Sequence, residues 1–182
     1  MTKAIFFDRD GVLNYTVKRE HGETAPWTLK EFKMVVGSIE AIQKAKDMGY
    51  MALVVTNQPD VKYNKMKMEE LDKIHRSLMG WLHVDEIMYA SDRGSDMYKP
   101  NNGMVEHFIK KYDLNREECF MIGDRWKDIV CGNKSNIKTI YIGQEYTSFC
   151  PAEYLHILPD YTEMDVLSAV NRIGVLNDQV VQ

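Results

Sequence analysis

The sequence predicts an α/β protein, a three-layer, doubly wound, Rossmann-like fold around a central parallel sheet of about five strands. Short apolar runs recur along the chain, amphipathic stretches of helical period separate them, and the runs end in polar residues. Runs that are apolar on both faces suit strands covered by helices on either side, and the alternation with helices implies parallel pairing. Ligands then belong outside the carboxyl ends of the strands, near the topological switch.

The first run, Ala4-Ile5-Phe6-Phe7, leads straight into Asp8-Arg9-Asp10-Gly11. Strand alternation puts Asp8 and Asp10 on one side and turns Arg9 away. Two such carboxylates repel each other and lose hydration, and a hard cation such as Mg²⁺ is the natural remedy. Further strands are expected over 50–56, 86–90, 119–122 and 138–142. Helices are expected over 38–48, with Ile39, Ile42 and Ala45 on one face, and over 66–82, with Leu71, Ile74, Leu78 and Leu82. Two more follow: 102–112, presenting Val105, Phe108 and Ile109, and a shorter one over 126–135. After residue 160 a short strand or edge precedes a helix over 162–173 that covers the sheet.

Residues 15–33 have no clean period, contain Pro26 and Trp27, and are long for a connection between strand and helix. They are expected to be a flap beside the aspartates, with Trp27 either closing over substrate or anchoring the loop. Trp81 reads as core packing. No insertion is large enough for a cap domain and no linker divides the chain, so one domain is expected over 1–182.

The net charge of −4 gives no basic footprint for nucleic acid. No apolar run reaches the length of a membrane span, and the first strand starts too early for a signal segment. Three cysteines without metal-ligand spacing, Cys119, Cys131 and Cys150, fit a reducing cytoplasm and a packing role. The oligomeric state is not legible, and a monomer is the default.

Leu53-Val54-Val55-Thr56-Asn57-Gln58 closes a second strand with hydroxyl and amide groups that suit an oxyanion, although such residues also close strands as turns. Tyr98-Lys99-Pro100 places a lysine before the third long helix, where it suits a phosphate or plain solvent. Phe120-Met121-Ile122-Gly123-Asp124 ends another strand, and Asp128 follows in the first helical turn. By itself this segment reads as an N-cap and a dipole-complementing aspartate.

Taken together, Asp-x-Asp, Thr-Asn, Lys and Gly-Asp-x-x-x-Asp at successive strand ends resemble the four motifs of haloacid-dehalogenase-like phosphatases. FFDRDGVLN, VVTNQP, KPNNGM and GDRWKDI are most similar to the subfamily that cleaves heptose bisphosphates and histidinol phosphate, small capless Mg²⁺-dependent enzymes. The resemblance implies a phosphomonoester hydrolase acting on a small phosphorylated sugar or polyol, in the synthesis of surface-polysaccharide precursors. It implies Asp8 as nucleophile, forming an aspartyl-phosphate, and Asp10 as acid and base. Asp8, the backbone carbonyl of Asp10 and Asp124 would hold Mg²⁺, and Thr56, Asn57 and Lys99 would cradle the phosphoryl group. Asp128 would orient Lys99 or a metal-bound water, and Asn14, Gln58, Tyr98 and Arg125 would reach the rest of the substrate. Arg9 would meet substrate or flap, or make a surface salt bridge.

The chain departs from that subfamily in one loop. Residues 87–98 contain no cysteine or histidine, so the subfamily's zinc site is not expected, and the loop is ordered by hydrogen bonds or is mobile. Tyr98 stands where an arginine often precedes the motif lysine. A phenol meets a second phosphate poorly, which implies a preference for a monophosphate or a smaller phosphorylated polyol over a heptose bisphosphate. The alternative is a heptose 1,7-bisphosphate phosphatase proper, with Arg93, Arg125 or a residue of 15–33 supplying the missing cation. Two readings of other classes compete: a phospho-acceptor signalling domain of the receiver type, with Asp92 mimicking the acceptor, and a non-catalytic binding module.

Overall fold

The computed structural model describes residues 2–143 and 150–180. In chain order its elements are β1 (Lys3–Phe7), β2 (Val17–Arg19), β3 (Gly22–Thr24), α1 (Ser38–Asp47), β4 (Tyr50–Asn57), α2 (Pro59–Lys62) and α3 (Met68–Leu82). They continue with β5 (Glu86–Ala90), α4 (Gly103–Tyr112), β6 (Phe120–Gly123), α5 (Trp126–Lys134), β7 (Lys138–Ile142), β8 (Tyr161–Glu163) and α6 (Val166–Val180).

Six parallel strands form the main sheet in the order β5-β4-β1-β6-β7-β8. The sequence expects about five strands. The sixth is Tyr161–Glu163, the short edge strand expected after residue 160; it pairs with Ile140–Ile142, so the last helix begins at Val166 rather than residue 162 and runs on to Val180. Alternation in β1 and β4 divides the core in two. Ile5, Phe7, Ala52 and Val54 join one cluster with residues of α1, α3 and α6. Ala4, Phe6, Leu53 and Val55 join the other, with Val105, Phe108 and Cys131 from α4 and α5. Helices thus cover both faces, and the central strands are apolar throughout because neither face meets water. Cys119 and Cys131 are buried packing residues, as expected.

Trp81 departs from the expected core position. The stripe Leu71, Ile74, Leu78 and Leu82 fills the inward face of α3, leaving Trp81 about half exposed with its ring 5.8 Å from that of Phe32.

The chain runs from β1 outward through β4 to β5, then returns to the other side of β1 for β6. The switch lies at the carboxyl end of β1, where Asp8 emerges between the ends of β4 and β6. Residues 15–33 do not form a plain loop. They begin with the antiparallel ribbon β2–β3, a second sheet absent from the sequence-based expectation. Among the described residues, no helix is long and apolar enough to cross a membrane.

Candidate active site

Asp8, Asp10, Lys99, Asn57, Arg125 and Asp128 converge on one cleft of about 250 Å³ at this switch point. The Asp8 amide hydrogen-bonds to the Ile122 carbonyl at 2.9 Å, so sheet pairing continues to the residue that carries the carboxylate. Beyond it the backbone turns sharply, the Arg9 carbonyl accepting from the amides of Leu13 and Asn14. That turn brings Asp10 back onto the same cleft as Asp8, as the spacing predicts.

Lys99 is fully buried. Its Nζ lies 2.8 Å from Asp8 Oδ1 and donates to Asp128 Oδ1 at 2.6 Å and to the Val55 carbonyl at 2.7 Å. The Lys99–Pro100 peptide is cis. Asn57 positions this loop: its Nδ2 donates to the Lys99 carbonyl at 2.9 Å and its Oδ1 accepts from the Lys99 amide at 3.0 Å. Both side-chain groups of Asn57 are thus engaged by the lysine's own backbone, not turned to a phosphoryl group as the sequence implies. Asp128 has a second bond, accepting from the Arg125 amide through Oδ2 at 3.1 Å, so it caps α5 and orients Lys99 together.

Asp10 is enclosed by donors. Arg9 donates to it through Nε at 3.2 Å and through Nη2 at 2.9 and 3.0 Å. Asn14 Nδ2 donates at 2.9 Å and Gln58 Nε2 at 2.6 Å. Burial pushes the Asp10 carboxyl up, but the Arg9 charge and the hydrogen bonds from Asn14, Arg9 and Gln58 outweigh it and hold it below the usual carboxylate range. Three expectations are corrected here. Arg9 is a fully buried partner of Asp10 and makes no surface salt bridge. Asn14 and Gln58, expected to reach substrate, are completely buried and spend their amides on Asp10. Thr56 is buried as well; its Oγ accepts from Gln58 Nε2 at 2.9 Å, which leaves its own O–H as a donor.

The remaining Arg9 donor, Nη1, is 3.0 Å from His75 Nε2 on α3. A guanidinium cannot accept, so Nε2 is the acceptor and the ring is neutral. Burial and the Arg9 charge push the His75 pKa down to about 3. The unfolded chain therefore binds a proton near pH 6.5 that the folded chain refuses until about pH 3. Stability is complete above the higher value and falls with pH below it, by about 2 kcal/mol at pH 5. Denaturant titrations at pH 7.5 and pH 5 should show that slope diminished in His75→Gln.

The residues present fit a divalent cation. Carboxylate oxygens of Asp8, Asp124 and Asp128 lie within 4.8 Å of one another. Asp124 Oδ1 is buried without a hydrogen-bond partner. Burial raises the Asp124 carboxyl well above its ordinary range, with Asp8 and Asp128 adding to the shift. Burial likewise raises Asp8, to about 6, against the opposing charge of Lys99. Gly11 leaves room for this cluster: at its φ of +93°, a Cβ would stand 2.1 Å from Asp124 Oδ2.

Four cations complete the cleft. Lys65, Arg93, Arg125 and Lys127 line it, and none of them is in an ion pair among the described residues. Tyr98 lies buried among them, with Lys127 Nζ 5.5 Å from its ring centre; burial pushes its hydroxyl pKa up, and the nearby Arg93 charge opposes part of that rise. Burial pushes the Lys127 ammonium down, and the neighbouring charges of Arg93 and Arg125 add to the shift. Glu23, Thr24 and Ala25 bring the end of the β2–β3 ribbon to the same cleft. Trp27 anchors that ribbon: its Nε1 donates to Asp60 at 2.7 Å and Arg19 lies 3.6 Å above its ring. His21 sits exposed at the ribbon's turn, away from the cleft.

The loop at 91–98 is ordered by hydrogen bonds. Gly94 N donates to Asp92 Oδ1, Met97 N to Ser95 Oγ, and Asn101 Nδ2 to the Ser95 carbonyl. Asp92, the acceptor in a receiver-type reading, is exposed and ion-paired with Lys62 at 2.7 Å. It does not join the cluster around Asp8.

A doubly wound parallel sheet with an aspartate at the end of its first strand, a buried lysine and an aspartate cluster defines a haloacid-dehalogenase-like phosphatase. The sequence profile of the family described as polynucleotide kinase 3 phosphatase matches residues 3–153, and the chain belongs to that family. The D-glycero-beta-D-manno-heptose-1,7-bisphosphate 7-phosphatase of Pasteurella multocida is 31% identical over 153 residues, covering 76% of this chain and 79% of that protein. The D-glycero-D-manno-heptose-1,7-bisphosphate 7-phosphatase of Chlorobaculum tepidum is 27% identical over 190 residues, covering 92% of each. Among solved structures, D,D-heptose 1,7-bisphosphate phosphatase from B. bronchiseptica, complexed with magnesium and phosphate, superposes with a TM-score of 0.75 at 21% identity. That match covers 98% of this chain and 99% of the other.

Proposed function

We propose that the protein hydrolyses a small phosphorylated sugar or polyol that carries a second acidic group, with Mg²⁺ as cofactor. The observation that carries this reading is that four cations with no ion pair among the described residues line, together with Asp8, one cleft of about 250 Å³. A monophosphate would leave several of those charges uncompensated, whereas a second phosphate or a carboxylate on the leaving group would meet them. Arg93 and Lys127, set around Tyr98, supply the cation that the sequence lacks next to Lys99, the compensation that favours a second phosphate over a monophosphate. A polynucleotide fits less well, because the whole chain has a net charge of −4.

Asp8, Asp124 and the backbone carbonyl of Asp10 would hold Mg²⁺, which when bound neutralises phosphoryl oxygens and keeps Asp8 ionised. Asp8 attacks phosphorus in line and the bond to the leaving oxygen breaks. Asp10, which its donors hold ionised in the free protein, must first take up a proton from solvent and then gives it to that oxygen. Asp10 then takes a proton from the water that attacks the aspartyl-phosphate, which releases phosphate and restores the Asp8 carboxylate. Lys99 holds the phosphoryl oxygens, Asp128 and Asn57 hold Lys99, and Thr56, buried outside the cleft lining, holds Gln58 against Asp10. The ribbon over residues 17–24 covers the cleft as a flap.

The test is phosphate release with Mg²⁺ from fructose 1,6-bisphosphate and from fructose 6-phosphate. The bisphosphate should be preferred, and Arg93→Ala or Lys127→Ala should raise its KM roughly tenfold while leaving that of the monophosphate little changed. Equal KM effects on both substrates would contradict a second anionic group.

A further inference from the structure

We infer that His75, outside the cleft, is a positioning residue for proton transfer: it locks the Arg9 guanidinium, and Arg9 in turn fixes where the Asp10 carboxylate stands. This rests on the reading of Asp10 as acid and base. Arg9 is 0% exposed and does not line the cleft, so it has no route to substrate. Its donors divide cleanly. Nε and Nη2 grip Asp10 as a fork, while Nη1 meets His75 Nε2 at 3.0 Å.

A planar fork held on one edge can still pivot about the carboxylate; a second contact on the far side stops that pivot. His75 provides the contact because its own place is set. It lies on α3 between the buried Ile74 and the turn carrying Leu78, and its ring packs 5.7 Å from that of Tyr89 on β5. The line Tyr89, His75, Arg9, Asp10 therefore ties two secondary-structure elements to the acid/base carboxylate. Without an acceptor at position 75, Nη1 is left buried and unpaired, and the guanidinium must turn to find another. Asp10, left to Asn14 and Gln58 alone, then loses the fork that fixes its orientation and shifts. A displacement of about 1 Å at a reacting group is enough to lower a rate on the order of 10²-fold.

The test exploits the leaving group. In kcat/KM, which reports the transfer to Asp8, a sugar alkoxide needs the Asp10 proton but p-nitrophenolate does not. His75→Phe keeps a planar ring against Tyr89 and removes the acceptor; His75→Gln keeps an acceptor. We expect His75→Phe to lower kcat/KM for fructose 1,6-bisphosphate at least tenfold and that for p-nitrophenyl phosphate less than threefold, with His75→Gln recovering most of the loss. If His75→Phe does not fold, Arg9→Lys, which cannot make the fork, is read on the same two substrates and should show the same selectivity. Equal losses on both substrates, or no loss, overturn the inference. Asp10→Asn is measured alongside. If it shows no selectivity between the substrates, the reading of Asp10 falls and takes this inference with it. If Asp10→Asn is selective and the position-75 variants are not, only the inference is lost.

Discussion

Asp8→Asn should abolish turnover, lowering kcat by about 10⁴-fold or more, while the protein remains folded. An amide is no nucleophile toward phosphorus, but it has the carboxylate's shape, and its oxygen can still accept from Lys99, 2.8 Å away. Stability of the metal-free protein should move the other way. Burial raises the Asp8 pKa from 3.8 to about 6, with Lys99 opposing and Asp128 and Asp10 adding to the rise. A carboxyl raised on folding favours the folded state while protonated, and that advantage is lost as pH climbs from the unfolded value through the folded one. At pH 8 the ionised Asp8 costs up to about 3 kcal/mol, which the substitution relieves; at pH 4 the difference should vanish. Denaturant unfolding in a metal chelator at the two pH values checks this. A substitution that destabilises at pH 8 would show that Asp8 is a net structural asset.

Lys99→Met should be costly in both respects. The ammonium is the shared counter-charge of Asp8 and Asp128, at 2.8 and 2.6 Å, and all three groups are buried. Removing one partner of a buried ionic set strands the others, which costs about 3–5 kcal/mol. For a chain of this size that lowers the melting temperature by roughly 10 °C. Lys99→Met combined with Asp128→Leu takes away one stranded carboxylate and should regain most of that stability. Neither variant should regain activity, since the phosphoryl oxygens lose their charged donor, a loss of about 10²–10³-fold. Recovery of turnover in the double variant would mean that Lys99 serves the fold alone.

The sheet was legible because its central strands are buried on both faces, so Ala4-Ile5-Phe6-Phe7 and Leu53-Val54-Val55 declare themselves without any knowledge of partners. Tyr161–Glu163 was harder. An edge strand of three residues pairs on one side only and carries little apolar pattern. Among the site residues, Asp8, Asp10 and Asp128 follow the sequence because they lie just after a strand or in the first turn of a helix, and Lys99 because it stands shortly before the start of α4. Arg9 did not, and the reason is local. Strand alternation ends at Phe7, and the turn closed by the Arg9 carbonyl folds the guanidinium back onto Asp10 instead of away from it. His75 gave no signal at all: it lies beside a leucine-rich stripe, 66 residues from the arginine it holds. The clamp of Asn57 on Lys99 spans 42 residues and is equally invisible before the chain folds.

The covalent step at Asp8 is the centre of the mechanism and the step most open to direct measurement. Wild-type protein with Mg²⁺ and excess ³²P-labelled substrate, quenched in acid during turnover and digested, should carry label on the peptide containing Asp8 and on no other. The label should disappear on a chase with unlabelled substrate, and Asp8→Asn should carry none. Steady phosphate release with no label trapped at Asp8, or label on another residue, would contradict it.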